Sequence, residues 1–163
     1  MEQFELVDIN GNKTGTIINA KVDRGEASIP DGEYIQVVKV IIINEDKKIL
    51  LQKRSMNKVA KPGLWGLHGG KVNMGEDTLT TAIRETFEEI GINLNKEKVK
   101  YLCQYYTKKV ALTIYYIKQN VNIEDCKIDT KELDELKYFS LDEIEDLEKI
   151  EDKRWVEKIK PII

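Results

Sequence analysis

The sequence predicts an α+β fold: a mixed β-sheet with helices on both faces. Three observations lead there. Short runs rich in β-branched residues, such as Tyr34 to Ile43, are separated by turn residues. One segment, Thr78 to Ile90, has a helical period instead. Two further helical stretches, Leu141 to Leu147 and Lys153 to Ile159, close the chain. Strands with helices dispersed among them, in 163 residues, suit one layered domain spanning 1–163.

Each element has its own signal. Phe4 to Ile9 and Thr14 to Ile18 flank Asn10-Gly11, a hairpin turn pair, so residues 1–33 read as a hairpin extension. Asp23 to Gly32, with Gly25, Pro30 and Gly32, reads as a loop. Tyr34 to Ile43 is expected as a buried strand, Asn44 to Lys47 as a turn, and Lys48 to Arg54 as the returning strand. Ser55 to Leu64 is a basic, proline-containing loop bearing Lys58 and Lys61, followed by the glycine-punctuated stretch Trp65 to Val72. Helix Thr78 to Ile90 stops at Gly91, a favourable residue just past a helix end. Val99 to Tyr106 and Val110 to Ile117 form a strand pair, and Trp155 and Ile159 lie one turn apart on an apolar helical face.

Composition excludes several classes of function. Hydrophobic residues are 41% and charged residues 34%, and no apolar run nears the roughly 20 residues of a membrane span. The N-terminus lacks the basic-then-apolar pattern of a secretory signal, so a cytoplasmic location is expected. A net charge of −3 from 26 basic and 29 acidic residues gives no global pull toward nucleic acid. Cys103 and Cys126 have no paired spacing, and with His68 the one histidine, a zinc site has no ligand set.

The helix carries the chemistry. Leu79, Ala82, Ile83, Thr86, Phe87 and Ile90 recur at three- and four-residue steps, predicting a continuous core-facing arc. Glu85, Glu88 and Glu89 share a second arc, read as pointing roughly away from the first. Like charges clustered there repel, and they sit at the negative end of the helix dipole. A bound divalent cation reverses that balance, because hard cations take carboxylate oxygens. Without further context the same cluster describes a solvated acidic face.

The context is specific. Gly70, Glu76, Arg84-Glu85, Glu88-Glu89 and Gly91-Ile92 follow the pattern G-x5-E-x7-R-E-U-x-E-E-x-G-U, where U is a bulky aliphatic. The stretch GKVNMGEDTLTTAIRETFEEIGI, residues 70–92, resembles the signature of the Nudix (MutT-like) hydrolases. Thr86, at the first aliphatic position, is the one departure, and it touches packing rather than chemistry. The likeness extends over about residues 34–150, taking in the preceding strand pair, Trp65 to Gly70 and Tyr138 to Glu143. The N-terminal hairpin and Asp31-Gly32-Glu33-Tyr34 are similar to a subgroup related to isopentenyl-diphosphate isomerases.

The resemblance implies the Nudix fold, an α/β/α sandwich, and Mg²⁺-dependent hydrolysis of a small-molecule diphosphate, with Mn²⁺ as a possible substitute. It implies Glu85, Glu88 and Glu89 as metal ligands, joined by the Gly69 carbonyl, with Glu76 as a secondary ligand or structural partner. Arg84 would orient a glutamate of the signature, Glu88 being in reach at i+4. The general base is Glu85 or, from a C-terminal loop, Glu135. His68, Arg54, Lys58 and Lys61 are candidate phosphate contacts, and Trp65 and Tyr34 candidate stacking surfaces; each also has a plain structural reading. Isomerases of the related subgroup need a histidine-rich metal site, which one histidine cannot build. A homodimer through the hairpin is a further expectation of the resemblance.

Overall fold

The computed structural model describes residues 2–19 and 29–163; the loop expected at Asp23 to Gly32 lies outside the described residues as far as Ser28. Strands β1 (Gln3–Val7) and β2 (Lys13–Asn19) form the antiparallel N-terminal hairpin, with Gly11 at φ 81° in its turn. A bridge from Val7 to Tyr34 fastens it to the main sheet, and Phe4, Leu6 and Ile18 pack with Ile29 and Ile35.

The main sheet is mixed. Its axis is β3 (Ile35–Ile43), paired in parallel with β8 (Val110–Lys118) from Ile35 against Val110 to Ile43 against Lys118. β8 in turn pairs antiparallel with β7 (Lys100–Tyr106). The other edge of β3 takes β6 (His68–Lys71) at Val37 to Val40 and the end of β4 (Ile49–Arg54) at Ile43. β4 is flanked by β5 (Trp65–Gly66) and by β9 (Leu133–Phe139).

Strand alternation sorts the core into two layers. Val38, Val40, Ile42 and Leu50 face α1 (Thr78–Ile90), which contributes Ala82 and Ile90. Ile41, Ile43, Ile49 and Leu51 face α2 (Leu141–Asp146) and α3 (Val156–Ile159), which contribute Ile144, Val156 and Ile159 beside Trp155. The result is the α/β/α sandwich. Asp77 caps the start of α1 by accepting from the Thr80 amide, and Gly91 ends the helix at φ 73°. Ser140 and Glu143 form a reciprocal capping box on α2.

Three expectations need correction. Residues 133–139 form a strand, not a loop. A register shift at Lys53/Arg54 places both Leu133 and Leu136 in the α1-side core, which hides the two-residue period. The last helix is four residues long, rather than running from Lys153. The buried face of α1 is Thr81, Ala82, Thr86 and Ile90, while Phe87 is 50% exposed. Two threonines can be buried because their hydroxyls are bonded: Thr86 Oγ1 to the Ala82 carbonyl at 2.8 Å, and Thr81 Oγ1 to Glu76 at 2.6 Å. Consequently Glu85 and Glu89 lie on the sheet-facing side of the helix and do not point away from it.

Truncating Trp155, which is 1% exposed, to alanine is expected to cost about 3–5 kcal/mol in urea unfolding. Phe87→Ala should stay within about 0.5 kcal/mol of wild type. A cost for Phe87→Ala matching that for Trp155→Ala would reverse the assigned helix face.

Candidate active site

The site begins where α1 crosses β6. Gly69 has φ 149°, and a Cβ on it would stand 1.9 Å from the Val38 carbonyl oxygen. A Cβ on Gly70 would stand 2.5 Å from the Glu85 carboxyl carbon. Glycine at both positions lets the carboxylates of α1 descend onto the strand.

Glu89 reaches deepest. Its Oε1 accepts from the Gly69 amide at 2.7 Å and its Oε2 from Gln52 Nε2 at 2.6 Å. Arg84 gathers the other acids. It binds Glu76 through two nitrogens at 2.7 and 2.9 Å, Glu85 at 3.0 Å and Glu88 at 3.1 Å. Glu76 also accepts from Thr81 and from the Asn73 amide, so both its oxygens are engaged. These contacts occupy Glu85 Oε1 and Glu88 Oε2, and leave Glu85 Oε2 and Glu88 Oε1 outside the described bonds.

Burial, followed by the charge of Glu89, pushes the Glu85 carboxyl up to about 7 against the partial relief given by Arg84. Burial also raises Glu89, opposed by Lys39, Gln52 and the Gly69 amide. Glu76 moves the opposite way, held down by its bonds to Arg84. Burial, helped by Lys39, lowers His68 to about 3, so its ring is neutral.

Two hollows with part of their lining in common lie nearby. A cleft of about 70 Å³ is lined by Lys39, Gln52, Arg54, Gly69, Glu89 and Glu151. It shares Lys39, Arg54, Gly66 and Glu151 with a groove of about 830 Å³ on the opposite side of the sheet. The groove floor includes Val37, Leu67, Leu112 and Ile114, and Lys61, Lys71 and Arg154 also line it.

Several sequence candidates fall elsewhere. His68 is fully buried and has no exposed atom for a phosphate. Lys58 is paired with Glu132 at 2.8 Å. Glu135 is exposed in β9 opposite Lys53, and by strand alternation lies on the face away from Gln52 and Glu89. Trp65 packs edge-on against Phe139 and Tyr34 edge-on against Tyr106, both at 4.9 Å between centroids. Neither Trp65 nor Tyr34 lines the groove. Arg54 and Lys61 do reach it. Lys39, Gln52 and Glu151 are additions that the motif did not indicate. For Lys39 and Gln52 the available signal is a polar residue inside an apolar strand run; Glu151 sits in a charged tail without one.

Among the described residues, no three acidic, histidine or cysteine side chains close around one point. Arg84 draws Glu85 and Glu88 to one side, and Gln52 and Gly69 hold Glu89 on the other. The donor chemistry nevertheless fits a hard divalent cation: all-oxygen ligands, two of them carboxylates whose burial and mutual repulsion a cation would relieve.

The NUDIX domain family model matches residues 33–159. An uncharacterized Nudix hydrolase of Listeria monocytogenes is 30% identical over 149 residues, 90% of this chain and 85% of that protein. An isopentenyl-diphosphate Delta-isomerase of Streptomyces avermitilis is 33% identical over 91 residues, covering 55% of this chain and 44% of the isomerase. A Deinococcus radiodurans protein of known structure superposes with a TM-score of 0.75 over 98% of both chains at 16% identity, a likeness of fold.

The Glu85 shift makes a pH prediction. The folded chain holds this proton up to about 7, against 4.5 for an unperturbed glutamate. A carboxyl raised by folding favours the folded state below 4.5, and that contribution is lost as pH rises through about 7. In chelator, therefore, the thermal midpoint of wild type should fall between these values relative to Glu85→Gln. A divalent cation held by Glu85 would compete with the same proton, so the stabilising shift on adding Mg²⁺ should be larger at about pH 8 than at about pH 6. Parallel wild-type and variant curves in thermal scans would contradict this assignment.

Proposed function

The chain belongs to the Nudix hydrolase family, whose members act on pyrophosphate bonds, and on that premise we propose that it uses Mg²⁺ to cleave the diphosphate linkage of a nucleoside di- or triphosphate or a related nucleoside diphosphate derivative. The observation that carries the reading is the burial of Glu85 and Glu89 against Gly69 and Gly70, where like charges are costly unless a cation joins them.

Glu85, Glu88, Glu89 and the Gly69 carbonyl would hold the ion, with Mn²⁺ able to replace Mg²⁺. Glu76 serves here as the anchor of Arg84, since its oxygens are engaged. A bound cation would neutralise charge on the phosphate oxygens and make a nearby water more acidic. The chain's own groups do the rest. Arg84 keeps Glu85 and Glu88 beside each other. Lys39 and Arg54, on the wall shared by cleft and groove, receive the phosphates. Glu85, beside the ion, takes the proton of the attacking water. Water adds to phosphorus, the anhydride P–O bond breaks, and the leaving phosphate departs with that electron pair. The larger groove has the volume to house the remainder of the substrate, its apolar floor beneath a cationic rim.

Phosphate release across nucleoside di- and triphosphates, nucleotide sugars and non-nucleotide diphosphates tests both levels. Turnover is expected with Mg²⁺, lost in excess chelator, and reduced at least about a hundredfold in Glu89→Gln without unfolding. Full activity in chelator overturns the metal reading. Non-nucleotide diphosphates cleaved about a hundredfold better than any nucleotide, by kcat/KM, overturn the nucleoside assignment alone.

A further inference from the structure

Resting on the metal reading above, we infer that His68 and Gln52 are positioning residues that hold the Glu89 carboxylate in the orientation from which it binds a divalent cation. The three side chains form a continuous hydrogen-bonded chain. His68 Nδ1 lies 2.5 Å from Gln52 Oε1, and Gln52 Nε2 donates to Glu89 Oε2 at 2.6 Å. The Gly69 amide closes the loop onto Glu89 Oε1 at 2.7 Å, and Gly69 follows His68 in β6. The carboxylate is therefore held at both oxygens by groups from two strands.

The atoms fix the direction of the chain. A metal-binding carboxylate is an acceptor only, so Gln52 must present its NH₂ to Glu89 and its oxygen to His68. His68 must then carry its proton on Nδ1. A glutamine without this neighbour can flip and turn its oxygen toward Glu89, which would repel the carboxylate. His68 acts as the lock against that flip.

The burial of His68 supports the assignment. The side chain is fully enclosed, with its Nδ1 against Gln52 and its ring also within reach of the Leu50 backbone carbonyl. An enclosed ring cannot swing away, so it keeps its Nδ1 against Gln52.

The test uses the full chain and Mn²⁺ as the probe, with binding followed by the electron paramagnetic resonance of the free ion. His68→Leu and Gln52→Leu remove the chain at different points, while His68→Asn keeps an N–H donor near the position of Nδ1. Each leucine variant should weaken Mn²⁺ binding about 10–100-fold and lower kcat, with the substrate KM at saturating metal little changed. His68→Asn should recover most of the Mn²⁺ affinity. Thermal melting identifies a variant that fails to fold, and the remaining leucine variant then decides. Wild-type Mn²⁺ affinity in a folded leucine variant, or equal weakening in His68→Asn and His68→Leu, would overturn the inference and leave the hydrolase reading standing. Absence of Mn²⁺ binding in wild type itself would overturn both.

Discussion

The approach of α1 to β6 depends on two positions without side chains. At Gly69 any Cβ meets the Val38 backbone, and at Gly70 any Cβ meets the Glu85 carboxyl. Backbone cannot swing aside as a flexible side chain can, so Gly69 fixes how closely β6 lies on β3. Gly70 leaves the room that the Glu85 carboxyl occupies above the strand. The depth of Glu89, the cleft beside Lys39 and the stacking of helix on sheet all follow from this clearance. A larger residue at Gly69 would lift the acids away from the strand and undo the site without touching one of them.

Close packing of that kind confines charge, and Arg84 is the main counterweight. Its guanidinium meets Glu76, Glu85 and Glu88 at once, fork-like with Glu76. Glu76 belongs to the loop before α1 and is itself tied to the first helical turn through Thr81. The loop, the helix and the acidic face are therefore braced through a single cation. Glu89 lies beyond its reach and relies on Gln52 and Gly69 instead. The two groups of acids are thus held by different partners, Arg84 for one and Gln52 with Gly69 for the other.

Much of this was legible in the sequence, for identifiable reasons. The hairpin, the paired strands, helix 78–90 with its Gly91 stop and the α/β/α layering rest on local periodicity and turn chemistry, which act within a few residues. The spacing of Gly70, Glu76, Arg84, Glu85, Glu88 and Glu89 sufficed to bring these residues together. What periodicity misjudged was the face of α1. Apolar character favoured Phe87 over Thr81, but the threonine hydroxyls are satisfied by the helix and by Glu76, so polarity was no bar to burial. β9 was hidden by a bulge for a comparable reason: one extra residue erases the two-residue alternation. Lys39, Gln52 and Glu151 could not be found from the motif, because strand pairing and loop return bring them to the helix, not sequence proximity. The described helices include none long and apolar enough to cross a membrane.

The parallel pairing of β3 with β8 has a consequence for how the molecule acquires its activity. These strands are joined through the whole segment that carries β4 to β7 and α1, so their registry closes a long loop and brings together distant parts of the chain. Pairings of this type form slowly compared with helices and hairpins. Helix α1 and its acidic face are local and gain their shape early, whereas Lys39, Gln52 and Glu151 reach them only once the sheet has its final order. Until the sheet is complete, Arg84 is the local counterweight to these carboxylates, and Lys39 and Gln52 are not yet beside Glu89. The environment of Glu89 thus depends on the long-range registry of the sheet and not on the helix alone.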